Sequence, residues 1–190
     1  MFKLKVGGHK ELQKYYPAIA MDFDKKEMLP KLSMHKAMLK GDMEMLIMYD
    51  DQTGMELGYA CAVKSGLYGY VLLKYVGVLS WFRGQGLGVQ FMRLINKHYM
   101  EKQGIMAEIT VFDDEDDSTL KKLRKFFARF GYVKLKSDYR IGGSEVELMV
   151  KPIKGDGEVE KFEHRMIYDF YSRLLSPSAM SEMIEISPAD

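Results

Sequence analysis

Glycines at positions 84, 86 and 88, headed by Arg83, are the residues of this chain best suited to chemistry, and the chemistry they suggest is capture of an anion. They follow an apolar run, Tyr75 to Leu79, and precede residues with helical spacing. Glycine lets a backbone bend tightly and lie against a ligand with no Cβ between them. A helix N-terminus adds unpaired amides and a partial positive charge, which favour a phosphate or pyrophosphate. Gln85 and Leu87 fill the alternate positions, and Arg83 contributes a fixed cation with a planar donor fork. The competing reading is a glycine-rich turn without a ligand.

Two well-known anion loops do not fit. A dinucleotide fingerprint counted from Gly84 needs glycine where Val89 stands, with an acidic residue about 20 positions on, and neither condition is met. A nucleoside-triphosphate loop needs Lys and then Ser or Thr after its last glycine, but Gly88 is followed by Val89 and Gln90. The pattern that is met, Arg83, Gly86 and Gly88 after a strand, resembles the acetyl-CoA signature of the GNAT superfamily of N-acetyltransferases. A second segment, Phe126 to Tyr132, resembles that family's helix end, an aromatic residue four before Gly-Phe/Tyr.

The elements that must position these residues follow from periodicity. Phe2 to Val6, Glu44 to Tyr49, Met55 to Val63, Tyr68 to Leu79, Ile105 to Phe112, Tyr132 to Tyr139 and Glu145 to Val150 read as strands. Helices are predicted over His9 to Ile19 and Leu29 to Lys40, the latter with Pro30 in its first turn and Gly41 past its end. Val89, Met92, Ile95 and Tyr99 form the apolar stripe of another helix, and Leu120, Leu123, Phe127 and Phe130 that of a fourth, closed by Gly131. The order is that of the GNAT fold, an α/β (α+β) architecture with a mixed, mostly antiparallel sheet flanked by helices. The resemblance covers residues 1–152. It implies a gap between Tyr68–Leu79 and Ile105–Phe112 that takes the cofactor's pantetheine arm.

The same resemblance implies an acetyl-CoA-dependent N-acetyltransferase that passes its acetyl group to an amine by direct transfer in a ternary complex. The alternative is a non-catalytic acyl-CoA sensor or interaction module on the same fold. Transfer needs a base for the amine. Strand alternation sets Glu108 with Thr110 on one face and Ala107, Ile109 and Val111 on the other, so Glu108 is either that base or a solvated or ion-paired strand residue. Glu145 and Glu147 share a face and read as solvent-facing rather than as an attractor for a cationic acceptor. The thioester oxygen needs a donor, which the resemblance assigns to a backbone amide at a bulge near Val78 and Leu79. Phe127 stands where the family commonly has a tyrosine to protonate the thiolate, and Leu120 where it often has asparagine. Either Tyr132 substitutes, or the thiolate leaves unaided or through water. The acceptor is expected at Tyr15 to Met28 and Asp138 to Glu147, where Tyr15, Tyr16, Asp22, Phe23 and Asp24 would suit a cationic amine.

Composition sets the outer bounds. The chain has 190 residues, 47% of them apolar, enough for a substantial core. A net charge of +1 gives no global field toward nucleic acid or an anionic membrane. Residues 1–10 hold no apolar signal core and no long apolar span occurs, so a cytoplasmic protein with neither a nucleic-acid nor a membrane partner is expected. The single Cys61 reads as a small buried hydrophobe, and the 16 methionines as core filling. His9, His35, His98 and His164 have no metal-ligand spacing, Asp113 to Asp117 lacks the spacing of a calcium loop, and no metal is expected. Residues 153–190 form a linker and a helical extension in which Phe162, Met166, Phe170 and Leu174 recur on one face. That face must dock on its own domain, cover the acceptor cleft or form a homodimer.

Overall fold

A computed structural model describes residues 1–111, 118–154, 159 and 163–186. Its strands are β1 (Phe2–Gly7), β2 (Met43–Asp50), β3 (Glu56–Lys64), β4 (Tyr70–Val78), β5 (Gly104–Thr110), β6 (Val133–Ile141), β7 (Ser144–Pro152) and β8 (Ile184–Ile186). They form one sheet in the order β1-β2-β3-β4-β5-β7-β6-β8. Every pairing is antiparallel except β4 with β5. These two strands run side by side only from Tyr70↔Gly104 to Leu73↔Ala107 and then part. The predicted gap is therefore present as a fork in the middle of the sheet.

Helices cover both faces. α1 (His9–Asp22), α2 (Lys31–Lys40) and α5 (Glu163–Leu174) bury Leu12, Ile19, Met34, Phe170 and Tyr171 on one side. α3 (Leu87–His98) and α4 (Ser118–Ala128) bury Phe91, Met92, Ile95, Leu120 and Phe127 on the other. α3 buries Leu87, Phe91, Met92 and Ile95; of the predicted stripe, Met92, Ile95 and Tyr99 are buried and Val89 is half-buried. Gly41 closes α2 in the left-handed region at φ 78°, as its position past the last turn requires.

Four elements are not among those expected from the sequence: 3-10 turns at Lys25–Glu27 and Ser80–Phe82, helix α6 (Pro177–Met183) and strand β8. The extension beyond residue 152 is part of the same body. Met166, Phe170, Tyr171 and Leu174 lie in the core shared with α1 and α2, and β8 pairs with β6 as the edge strand of the sheet. Asp169 on α5 accepts hydrogen bonds from Ser65 Oγ (2.6 Å) and the Gly66 amide (2.9 Å), fixing the turn that leads into β4. Phe112, the acidic run to Asp117, Gly155 to Glu158 and Phe162 lie outside the described residues.

The bulge in β4 is not near Val78 and Leu79 as expected but four residues earlier. Cys61 faces Tyr75 while Ala62 faces Leu73, which leaves Lys74 as the extra residue. A bulge turns consecutive side chains to one face. Lys74 and Tyr75 accordingly both point toward α5 and the α1–α2 connection.

Candidate active site

A cavity of about 520 Å³ passes through the fork between the two helical layers. On the α3–α4 side its wall is apolar: Val76, Phe91, Met92, Leu123, Phe126 and Phe127. On the other side it meets Asp22, Phe23, Asp24, Glu27, Lys74, Glu108 and Thr110.

The glycine loop stands at one mouth. Gly84 and Gly86 adopt φ 78° and 73°, values open to glycine and strained for other residues, and Gly86 caps α3 without a side chain. A Cβ at either position would meet no atom within 4 Å, so an anion can come directly against the backbone and the first amides of α3. This suits a CoA diphosphate. Arg83 is half-exposed; its Nε donates to the Val78 carbonyl (2.9 Å) and its guanidinium pairs with Asp22 (2.5 Å). Asp22 Oδ2 also accepts from the Tyr59 hydroxyl (2.5 Å), so the end of α1 is tied to the loop.

Sheet geometry decides which backbone groups face the gap. The Leu79 amide donates to the Leu57 carbonyl (2.9 Å) and is occupied. Val78, one residue earlier and opposite Gly58, belongs to the alternate pair, whose amide and carbonyl turn away from β3. Its carbonyl meeting Arg83 agrees with that direction. Of the two expected oxyanion donors, only the Val78 amide is therefore aimed into the gap.

Lys74 and Glu108 follow immediately on the last paired residues of β4 and β5 and bridge the base of the fork, Nζ to Oε2 at 2.6 Å. Both side chains are buried. Glu108 Oε1 accepts from Tyr139 (2.6 Å) and Tyr171 (2.7 Å), and Lys74 also donates to the Tyr171 hydroxyl (2.8 Å). Glu108 thus faces the cavity with Thr110, as alternation predicts, but holds three donors. Burial and the Glu108 charge drive the hydroxyls of Tyr139 and Tyr171 well above the usual phenol range, so both remain donors.

Glu27, unmarked in the sequence, is the unusual carboxyl. It is 5% exposed; Oε2 accepts from Thr110 Oγ1 (2.8 Å), while Oε1 has no hydrogen-bond partner among the described residues. Burial raises its pKa, with the Thr110 bond and the Lys74 charge opposing and Glu108 and Asp24 adding to the rise. Its turn is rigidly held. Tyr75 donates to the Glu27 carbonyl (3.1 Å) and accepts from the Leu29 amide (2.8 Å), and Asp24 caps the turn through the Lys26 amide (2.8 Å). Gly142, at the β6–β7 hairpin tip, packs so closely that a Cβ there would lie 2.0 Å from the Lys26 carbonyl oxygen.

Other expected residues fall elsewhere. Tyr132 is buried against Phe127, with ring centres 5.3 Å apart, and its hydroxyl donates to Asn96 (3.2 Å) instead of lining the cavity. Glu145 is exposed, but Glu147 is not: it is buried between Arg124 and Lys134, and the hydrogen bond from Arg124, with that from Lys134 and both charges, holds its carboxyl below the usual range against the effect of burial. The solvent-facing reading of Glu147 fails because α4 and β6 cover that face. Cys61 is fully buried, with its thiol pushed up to about 12. His9 and His35, 26 residues apart, come together with Nδ1 atoms 2.6 Å apart. Among the described residues no group of three metal-ligating side chains forms, and no helix is long and apolar enough to cross a membrane.

Residues 11–152 match a family model described as the acetyltransferase (GNAT) domain. Several solved structures share the fold. A protein from Bacteroides thetaiotaomicron assigned to the GNAT acetyltransferases aligns with 90% of this chain and 96% of its own at 15% identity, with a TM-score of 0.70. The ribosomal-protein-S18-alanine N-acetyltransferase from Escherichia coli is 12% identical over 83% of this chain and 97% of its own, TM-score 0.60. A chimera of the spermidine N-acetyltransferase from Vibrio cholerae is 11% identical over 80% and 95%, TM-score 0.61. No curated protein matches the chain.

Proposed function

The chain belongs to the GNAT acetyltransferase family, and we propose that it transfers the acetyl group of acetyl-CoA to an amine directly, within a ternary complex. The observation that carries this reading is the cavity itself, which joins an anion-receiving glycine loop on one side of the sheet to an acidic chamber on the other. When bound, acetyl-CoA supplies an activated acyl group on a thiol that leaves readily. Arg83 and the backbone from Gly84 to Gly88, with Gln85 and Leu87 between the glycines, would hold its diphosphate, and the apolar wall its pantetheine arm. Arg83 would leave Asp22 to do so. The Val78 amide would donate to the thioester oxygen as that oxygen gains charge.

Glu108 is read here as a positioning residue and not as the base. A proton arriving on its carboxylate would compete with Lys74 and two tyrosine hydroxyls, and would leave the buried ammonium without its counter-ion. Tyr132 is likewise not read as the acid, since its hydroxyl serves Asn96. Water in the cavity takes that role. Phe127 at the cavity wall is the one observation on the side of a non-catalytic acyl-CoA module. A cytoplasmic location accords with either reading.

The test is release of free CoA thiol from acetyl-CoA across a panel of amines. Turnover with any amine supports the enzyme; tight acetyl-CoA binding with turnover of none supports the module.

A further inference from the structure

We infer that Glu27 is the group that takes the proton from the incoming amine, and that the amine is a primary alkylamine arriving as its ammonium ion. The inference rests on the acetyl-transfer reading above and deepens it. Its basis is Glu27, a buried carboxyl in the lining of the cavity, one oxygen of which, Oε1, has no hydrogen-bond partner among the described residues. Protein interiors rarely leave such an atom unsatisfied, and the exceptions need an explanation. Here the turn is pinned by Tyr75, Asp24 and the hairpin tip, which keeps the Glu27 carboxyl at the cavity lining. An ammonium N–H donor supplies the missing bond.

The charges around the chamber favour the same class of ligand. Lys74 on β4 is paired with Glu108 on β5, and Arg83 with Asp22. What remains facing the chamber among the described residues is Glu27 on the turn with Asp24 beside it, both acidic, and the neutral Thr110 on β5. An alkylammonium with a pKa near that of lysine, about 10.4, is almost wholly protonated at neutral pH, so it binds readily but must lose a proton to react. A carboxylate whose affinity for protons is raised by burial is suited to that task.

The step balances as follows. Glu27 Oε1 takes one proton from the ammonium, which frees the nitrogen lone pair. That pair forms the N–C bond to the acetyl carbon, and the C–S bond breaks with its electrons on sulfur. The second surplus N–H proton passes through water to the thiolate, giving an amide and a free thiol, and Glu27 later returns its proton to solvent.

The experiment compares wild type with Glu27→Gln on acetyl-CoA with n-butylamine, using aniline as an acceptor that is neutral at the working pH. The expected result is a fall of roughly 100-fold or more in kcat/KM for n-butylamine. Acetyl-CoA affinity by calorimetry should stay unchanged, activity should return partly as pH rises, and aniline should be affected far less. Glu27→Asp, which keeps the charge one methylene short, should lie between, and serves alone if the Gln variant fails to fold. Equal kcat/KM and pH profile in wild type and Glu27→Gln, or a wild type that prefers aniline, overturns the inference while leaving acetyl transfer intact. A wild type that does not bind acetyl-CoA overturns the reading beneath it as well.

Discussion

The two ends of the cavity are built by opposite means. On the α3–α4 side the wall is apolar and the ligand-facing polarity comes from backbone, the amides that follow Gly84 and Gly86. On the α1–α2–α5 side, side chains supply the polarity, through Lys74, Glu108, Glu27, Thr110, Tyr139 and Tyr171. A backbone site depends on a few conformations that only glycine adopts easily. A side-chain site depends on charges brought together from distant elements, and breaks when one of them is removed.

The largest effect is therefore expected at the base of the fork. Glu108→Gln keeps acceptors for Tyr139 and Tyr171 but leaves the Lys74 ammonium buried without a counter-ion, a loss of about 3–5 kcal/mol. Adding Lys74→Met should restore most of it, because replacing both ions of a buried pair is often neutral. Chemical denaturation of the single and double variants measures both. Equal stability of Glu108→Gln and wild type would mean that the pair does not hold the fork.

At the other end, Gly86→Val places a β-branched residue at φ 73°, where strain of about 1–3 kcal/mol drives the loop to another shape. Acetyl-CoA affinity should fall about 100-fold, with little change in melting temperature once the loop relaxes. Arg83→Ala should weaken binding by about tenfold or less, since that side chain is half-exposed and already engaged by Asp22. Asp22→Asn, by releasing Arg83, should tighten binding slightly. Calorimetric titration ranks all three, and a tighter Arg83→Ala than Gly86→Val is the expected order.

How much of each end could be read from sequence follows from the same contrast. Arg83, Gly84, Gly86 and Gly88 are contiguous, and their types and spacing imply the loop. The parting of β4 from β5 was likewise expected, but from the family resemblance rather than from composition. The acidic chamber is not contiguous. Glu27 falls within the expected acceptor segment Tyr15 to Met28, but nothing in Asp24-Lys25-Lys26-Glu27 marks it until Tyr75 and the hairpin tip hold the turn against the sheet. Lys74 reaches its place through a bulge that no local pattern announces, and Tyr171 meets Glu108 from 63 residues away. Glu147 was misjudged for a related reason: alternation tells which residues share a face, but not that α4 and β6 cover it.

Smaller effects refine the contrast. Glu27 has a folded-state pKa raised above its unfolded value, so its favourable contribution is present below the ordinary carboxylate range and is lost as pH rises through the folded value. Glu27→Gln should consequently melt higher than wild type above that window, with the difference vanishing at low pH. A variant less stable at every pH would argue that Glu27 is structural. Phe127→Tyr should raise turnover at most a few-fold, because the ring already lines the cavity and only departure of the thiolate can benefit.

The most direct test of a two-ended site is acetyl-CoA affinity and n-butylamine turnover measured together in Gly86→Val and Glu27→Gln. The account predicts that Gly86→Val loses both affinity and turnover, whereas Glu27→Gln keeps wild-type affinity and loses turnover. Loss of affinity in Glu27→Gln, or retention of it in Gly86→Val, would contradict the division of the cavity into a cofactor end and an acceptor end.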